Sequence, residues 1–308
     1  MQKIKLAIEK TPGVEDLITE VNTGDHGMTL YELSSFGIVC AVQPCTNPCA
    51  TLISNTIGML AAGNAIIHCP HPRAVKVSQF LTTIISETIR SISGIDNLVV
   101  TLHESLMGFT TEVMSHPDVD VVEESVSDRF IYELLKNGVY YIRNEAEIQK
   151  LLNAAVTEDF VINKKLEGRS AKEILEYAGI PASKAIKLIV AETGRMHPFV
   201  ITELMMPLVP LVKAADFDEA LEIALEVEQG YKHTATIHSE SIEHLNRAAR
   251  ELQTSVFVKN GPSLMGIGFD KEGHTSFTIA TTTGEGTTTA RHFARRRRCT
   301  LTSGFSIR

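Results

Sequence analysis

No charged side chain occurs between Leu33 and Pro72, so this part of the chain must be buried either in a protein core or in a membrane. A membrane-spanning helix needs about 20 consecutive apolar residues. The segment is interrupted instead by Gly37, Pro44, Asn47, Pro48, Asn55, Gly58, Gly63 and Asn64. The apolar runs between these interruptions predict a buried strand, a helix and a second buried strand, over Phe36–Val42, Pro48–Ala62 and Ala65–Cys69.

The alternation of helix and strand continues after this segment. The pattern predicts helices over Arg73–Ser93 and Ser105–Ser115, and strands over Asn97–Leu102 and Val119–Val122. Apolar strands that alternate with helices are typical of a parallel sheet covered on both faces, with right-handed crossovers. The first part of the chain is therefore predicted to be an α/β domain.

The remainder of the chain predicts a second set of helices and strands. The helices are expected over Glu123–Lys136, Glu145–Ala155, Asp216–Gln229 and Ile242–Leu252. The strands are expected over Lys187–Glu192, Val209–Ala214, Thr234–His238 and Ser255–Val258. The tail from Gly261 to Arg308 is rich in Gly and Thr and carries few helix signals.

Composition argues against several classes of protein. Hydrophobic residues make up 44% of the 308 residues and charged residues 21%, which excludes disorder for most of the chain. A net charge of −8 and the absence of Trp argue against a nucleic-acid partner. The N-terminus, Met1–Lys10, is no signal peptide, and the five cysteines form no dense disulfide framework. These features favour a cytoplasmic protein without a membrane segment.

The turn after the first apolar strand carries three residues whose side chains are candidates for a role in catalysis. The Asn47 side chain can donate to a developing oxyanion beside the positive end of the following helix, or it can simply cap that helix. Cys45 and Cys49 flank the same turn, where a thiol can have a lowered pKa. The alternative for both cysteines is a small buried hydrophobic side chain.

The turn after the second strand, Pro70-His71-Pro72, lies where α/β folds bind ligands. His71 is therefore either a cofactor or CoA contact, or part of an ordinary turn. No His, Cys or carboxylate spacing matches a metal motif, so we predict no metal site. The four arginines Arg295–Arg298 could bind phosphate, although a solvated or ion-paired face is the better expectation in an acidic chain.

An ordered set of short motifs identifies a family. Their segments are TPGVEDL (11–17), GDHGM (24–28), TNP (46–48), LAAGNA (60–65), CPHPRA (69–74), NLVVT (97–101), ELMMP (203–207), HTA (233–235), FVKNGPS (257–263), TGEGTTTAR (283–291) and the terminal RRCTLTSGFSIR. Together they resemble the CoA-acylating aldehyde dehydrogenases of ethanolamine and propanediol utilisation, which work in bacterial microcompartments. The resemblance runs along nearly the whole chain.

The resemblance implies an aldehyde dehydrogenase fold, with a parallel-sheet NAD-binding domain and an α/β catalytic domain. On this basis residues 1–122 form a partial NAD-binding domain, 123–290 a partial catalytic domain, and 291–308 a returning C-terminal segment that serves oligomerisation. The implied reaction converts a short aldehyde, CoA and NAD into acyl-CoA and NADH through a cysteine thiolate. The implied partners are the aldehyde, CoA, further copies of the chain and a microcompartment.

The resemblance also implies roles for individual residues. Asn47 matches the oxyanion-hole asparagine, and Glu203 matches the glutamate that holds the nicotinamide ribose. Pro70, His71 and Pro72 match the segment that lines the nucleotide and CoA pocket.

The sequence departs from the family at two places. Part of the family's N-terminus, with its microcompartment-targeting helix and the first part of the nucleotide domain, is expected to be missing, and so is an internal segment. The family has a long segment, between a strand ending near Val122 and a helix starting near Glu123, with a TGG motif, a GAGAGNPP motif and the catalytic cysteine within NNLPC. None of these motifs occurs here. Both domains are therefore expected to be truncated and the nucleophile to be absent, with Cys45 and Cys49 as weak substitutes. The alternative function is that of an inactive homologue that acts as a structural or regulatory partner of a full-length enzyme.

Overall fold

The computed structural model describes residues 1–103, 118–157, 161–183, 185–279 and 286–303. The predicted helix over Ser105–Ser115 lies outside these residues. The helices are α1 (Gln2–Lys10), α2 (Pro48–Ala61), α3 (Val75–Ser93), α4 (Glu124–Lys136), α5 (Glu145–Ala155), α6 (Ala171–Tyr177), α7 (Pro198–Ile201), α8 (Phe217–Glu228) and α9 (Ile242–Leu252). The strands are β1 (Glu20–Gly24), β2 (Gly27–Ser35), β3 (Ile38–Val42), β4 (Ala65–Cys69), β5 (Val99–Thr101), β6 (Asp120–Glu123), β7 (Val139–Ile142), β8 (Leu188–Glu192), β9 (Leu208–Ala214), β10 (Thr234–Ile237), β11 (Val256–Lys259) and β12 (Ala294–Thr302).

The chain divides into two compact units. The first comprises Met1–Met114, His233–His238 and Thr254–Arg308, and the second comprises Ser115–Lys232 and Ser239–Gln253. This division differs from the predicted boundaries at 122 and 290, because residues 254–279 and 286–303 pack with the N-terminal part of the chain. The names NAD-binding and catalytic for the two units remain predictions. Within the described residues, no helix is both long and apolar enough to cross a membrane.

A three-stranded parallel sheet, in the order β3-β4-β5, forms the centre of the first unit. Ala41, Ile66 and Val99 lie on one face of this sheet and pack against Met59 of α2 in a common core. The strands and helices predicted between residues 36 and 102 are confirmed to within a few residues. The prediction succeeds here because the sides of strands and helices that are buried against one another must be apolar.

The opposite face of the same sheet is poorly covered. Ile38 is 70% exposed and Val42 49% exposed, and Cys40 between them is exposed as well. Parallel sheets are normally covered on both faces because their strands are apolar on both sides. This face of the sheet therefore leaves apolar side chains exposed.

Polar contacts attach the C-terminal part of the chain to the N-terminal part. The buried Asp16 carboxylate accepts hydrogen bonds from the Thr289 hydroxyl at 2.5 Å and from the Arg291 backbone N–H at 2.9 Å. It also accepts from the Arg291 guanidinium through Nε at 2.8 Å. Two of the family motifs, TPGVEDL and TGEGTTTAR, therefore meet in space at this ion pair.

The second sheet of the first unit is antiparallel, in the order β1-β2-β12. The arginine run lies on β12, where Arg296 forms an ion pair with Glu20 and lies 4.1 Å from the centre of the Tyr31 ring. The expectation of an exposed, ion-paired arginine face is confirmed. The strand itself was missed, because four consecutive arginines hide its alternation.

Gly27 is expected to tolerate no side chain. It begins β2 with φ +117°, and a Cβ at this position would lie 2.2 Å from the Leu301 carbonyl oxygen on β12. We expect Gly27→Ala to lower the free energy of unfolding by roughly 2–4 kcal/mol, from backbone strain and loss of pairing. Gly24→Ala is the control, because a Cβ there has nothing within 4 Å. Equal stability of the two variants in urea denaturation would contradict this account.

The second unit contains a four-stranded parallel sheet in the order β6-β9-β8-β7. Its core is formed by fully buried side chains such as Ile189, Phe199 and Leu208. The strand predicted at Val119–Val122 is present, but it pairs with β9 in this sheet and does not extend the sheet of the first unit. That part of the prediction is wrong, since strand order cannot be read from alternation alone.

Candidate functional site

Two turns of the first unit lie next to each other because the strands before them are parallel neighbours. Val42 at the end of β3 is in register with Cys69 at the end of β4, and the Gln43 N–H donates to the Cys69 carbonyl at 2.9 Å. The segments 43–47 and 70–72 therefore leave the sheet at the same edge. Ligands of α/β folds bind at this carboxyl edge.

Asn47 stands at the N-terminus of α2 with φ −135° and ψ 48°. Its side chain makes no capping hydrogen bond to the helix, so the capping alternative for this residue is wrong. The Lys3 ammonium instead donates to Asn47 Oδ1 at 2.6 Å. With Oδ1 held in this way, the amide nitrogen is the group that can donate to an oxyanion.

Cys45, Cys49 and His71 are partly buried side chains of the same two turns. The Cys45 Sγ and a ring nitrogen of His71 lie within 4.8 Å of each other. His71 Nδ1 accepts a hydrogen bond from the Arg73 N–H at 3.2 Å, which leaves Nε2 to carry the proton of the neutral ring. The two predicted groups of site residues, 45–49 and 70–72, are thus brought together by the fold.

A buried polar network lies directly behind these turns. His68 of β4 is fully buried, and its Nδ1 and Nε2 are hydrogen-bonded to Gln43 Nε2 at 2.9 Å and to Thr56 Oγ1 at 3.0 Å. Burial lowers the pKa of His68 from 6.5 to about 4, so the ring is neutral at pH 7. The network connects β3, α2 and β4, and it fixes where both turns begin.

His68 is expected to make the first unit sensitive to acid. Between pH 6.5 and about 4 the unfolded chain takes up a proton at this residue and the folded chain does not. The free energy of unfolding should therefore fall as the pH is lowered through this range, by up to about 3 kcal/mol. Urea denaturation of His68→Gln should show a flatter pH dependence, whereas the exposed His238→Gln should not. An unchanged slope for His68→Gln would refute the assignment.

Glu203, the remaining predicted site residue, belongs to the second unit. It follows α7, and its Oε1 accepts a hydrogen bond from the Met205 N–H at 3.2 Å. Met205 has a positive φ of 51°, so the ELMMP motif forms a tight turn at this point. The role of Glu203 at the nicotinamide ribose stays a prediction.

Sequence reasoning missed the residues that support the site. Lys3 and Gln43 are examples, since no motif marks a lysine 44 residues away from its asparagine partner. His68 belongs to no motif in the sequence. Its position two residues after Ile66, on the same buried face of β4, was the available signal.

The comparisons with known proteins decide the family. No protein-family model matches the sequence. The propanal dehydrogenase (CoA-propanoylating) of Salmonella typhimurium is 42% identical to the chain, over 99% of this chain and 80% of that protein. The chain belongs to the CoA-acylating aldehyde dehydrogenases. The similarity to these enzymes extends over both units of the chain.

Solved structures of the family agree with the fold. The propionaldehyde dehydrogenase of Rhodopseudomonas palustris, with bound CoA and an acylated cysteine, is 37% identical and has a TM-score of 0.90, covering 99% of this chain and 84% of that one. The enzyme from the fucose utilisation microcompartment of Clostridium phytofermentans is 33% identical with a TM-score of 0.91, covering 99% and 85%. The predicted aldehyde dehydrogenase fold is confirmed.

The alignment with the Salmonella dehydrogenase is longer than this chain. It extends over 371 positions, against the 308 residues of the chain, so at least 63 positions of the relative have no counterpart here.

Proposed function

We propose that this protein serves the CoA-dependent oxidation of a short aldehyde, with propanal as the first candidate substrate. The reaction is aldehyde plus CoA plus NAD⁺ giving acyl-CoA, NADH and a proton. The observation that carries the proposal is the 42% identity, over 99% of the chain, to a CoA-propanoylating propanal dehydrogenase. The acylated cysteine in the Rhodopseudomonas relative supports a thioester step in this family.

The residues at the ends of β3 and β4 in the first unit are suited to binding a nucleotide and CoA. The first turn of α2 receives no side-chain cap from Asn47, and unpaired N–H groups at a helix N-terminus attract anionic groups. Lys3 adds a positive charge beside this turn, and Pro70, His71 and Pro72 form the neighbouring wall at the end of β4. NAD, when bound, supplies the hydride acceptor of the reaction. Glu203 is proposed to hold its nicotinamide ribose.

In the proposed reaction, the residues of this chain bind the substrates and polarise the aldehyde carbonyl. In the proposed site the Asn47 amide donates to the aldehyde oxygen as negative charge develops there, which is typically worth about 10²–10³ in rate. Lys3 holds this amide through Oδ1. The sulfur that attacks the aldehyde carbon, and from which CoA later takes the acyl group, has no matching residue in this sequence.

Cys45 is the nearest substitute, since its thiol lies close to His71 and two residues before Asn47. On the family resemblance, we assign the thiol step to a cysteine-bearing segment of the family type, placed between Val122 and Glu123.

The experiment restores that segment. The residues of the Salmonella dehydrogenase that this chain lacks are inserted between Val122 and Glu123, and NADH is followed at 340 nm with propanal, CoA and NAD⁺. NADH formation that needs all three compounds, and that is lost when the inserted cysteine becomes serine, supports the proposal. A folded, NAD-binding insertion protein that forms no NADH with propanal or acetaldehyde would overturn it.

The proposal extends to location and assembly. One relative comes from a bacterial microcompartment, and we place this protein in the cytoplasm or in such a compartment. β12 is exposed along most of its length, which supports an oligomer formed through the β1-β2-β12 sheet. Light scattering should give a multiple of 33.8 kDa, and a monomer would contradict this part.

A further inference from the structure

Cys40 and Cys69 lie on neighbouring strands and on the same face of the parallel sheet. Cys40 is in register with Ile67, and Cys69 is in register with Val42, so the two cysteines occupy diagonal positions two residues apart. Their sulfur atoms are 3.2 Å apart and share a hydrogen bond. A disulfide needs about 2.05 Å between the sulfurs, so the bond requires the two sulfur atoms to approach by roughly 1 Å.

The pair lies on the poorly covered face of the sheet. Cys40 is exposed between Ile38 and Val42, and Cys69 is partly buried beside it. Burial, together with the hydrogen bond to Cys40, raises the pKa of Cys69 to about 11, so this thiol keeps its proton. Cys40 is thus the accessible sulfur, and Cys69 is placed to react second.

We propose that Cys40 and Cys69 form a redox-active dithiol that a peroxide converts into an intramolecular disulfide. The Cys40 thiolate attacks one oxygen of hydrogen peroxide, which breaks the O–O bond and yields a sulfenic acid and, after protonation, water. The Cys69 sulfur then attacks the sulfenic sulfur, and the S–O bond breaks with release of a second water. Each sulfur is oxidised by one electron, and the peroxide is reduced by two.

Neither cysteine belongs to the proposed catalytic machinery. The proposed site residues Asn47 and His71 lie in the turns beyond the strands, whereas Cys40 lies inside β3 and Cys69 ends β4. The remaining cysteine outside these turns, Cys299, is exposed on β12 and provides a matched control. Cys40 lies outside the family motifs quoted above, whereas Cys69 is the first residue of the CPHPRA motif.

The test treats the reduced 308-residue protein with hydrogen peroxide and maps peptides without reduction. We expect a cross-linked peptide pair that contains Cys40 and Cys69, with loss of two of the five thiols. Cys40→Ser and Cys69→Ser should each abolish this pair, and Cys299→Ser should leave it unchanged. Oxidation of Cys299 in the native protein without any Cys40–Cys69 peptide would overturn the proposal.

A second measurement needs no variant. Phenylarsine oxide condenses with two neighbouring thiols and releases one water, so it should block two thiols per chain and prevent the peroxide cross-link. Alkylation by iodoacetamide should then find Cys40 and Cys69 protected together. Protection of only one of them would contradict a paired site.

The disulfide would also act on the neighbouring turn, an extension that rests on the proposed function. Cys69 directly precedes Pro70-His71-Pro72, and its carbonyl accepts from the Gln43 N–H. We expect oxidation to weaken NAD or CoA binding at least several-fold and dithiothreitol to restore it. If the reduced protein binds neither, the proposed function fails and the disulfide stands. If binding is unchanged by a mapped disulfide, only this extension is overturned.

Discussion

The 308-residue chain by itself is expected to form NADH from propanal, CoA and NAD⁺ at least about 10⁴-fold more slowly than the chain with the cysteine-bearing segment restored. The reason is that the NNLPC motif, which carries the thiol nucleophile by the family resemblance, does not occur in this sequence. Covalent catalysis fails without the nucleophile, whereas ligand binding and oxyanion stabilisation leave only a residual rate. The measurement is absorbance at 340 nm at matched protein concentrations.

Two variants separate this expectation from its alternative. If Cys45 or Cys49 were a substitute nucleophile, Cys45→Ser or Cys49→Ser would abolish NADH formation by the unmodified chain. We expect both variants to leave the background rate unchanged. A rapid, CoA-dependent rate that disappears in Cys45→Ser would instead assign catalysis to the thiol beside His71.

Asp16→Asn is expected to lower the free energy of unfolding by about 2–4 kcal/mol. The Asp16 carboxylate is buried and accepts from the Thr289 hydroxyl, the Arg291 N–H and the Arg291 guanidinium. The variant removes the negative charge that these donors share. The exposed Asp25→Asn is the control and should change the stability little.

The pH dependence gives a second readout for the same ion pair. Burial alone would raise the pKa of Asp16, but the hydrogen bonds from Arg291 and Thr289 outweigh it and lower the pKa below 3.8. This stabilisation is present above pH 3.8 and is lost as the pH falls through the lowered value of the folded state. Asp16→Asn should abolish that acid-induced loss. A variant as stable as the parent protein at pH 7 would refute the assigned role.

The sequence predicts most of the elements that carry apolar periodicity. β4, α5 and α9 begin and end where the pattern places them, and α2 differs by a single residue. Strands such as β2 and β12 were missed, because they belong to an exposed antiparallel sheet with little apolar contrast. The capping box of α6 at Ser170 and Glu173 was a readable signal that was not used.

The candidate site is predictable only in part. The turns at 45–49 and 70–72 follow from strand ends, and the structure places them side by side. Contacts between distant parts of the chain, such as Lys3 with Asn47 and Asp16 with Arg291, follow from tertiary packing and leave no local pattern. The Cys40–Cys69 pair likewise needed the strand register.

The most direct test of the account is isothermal titration of the reduced 308-residue protein with NAD⁺ and, separately, with CoA. The account predicts saturable binding of each ligand at one site per chain, since the turns at the ends of β3 and β4 are assigned to this chain and not to the absent segment. Binding should weaken in a variant with Lys3→Met, which removes the charge at Asn47. A folded protein that binds neither ligand at millimolar concentration would contradict the assignment of the nucleotide and CoA site to these residues.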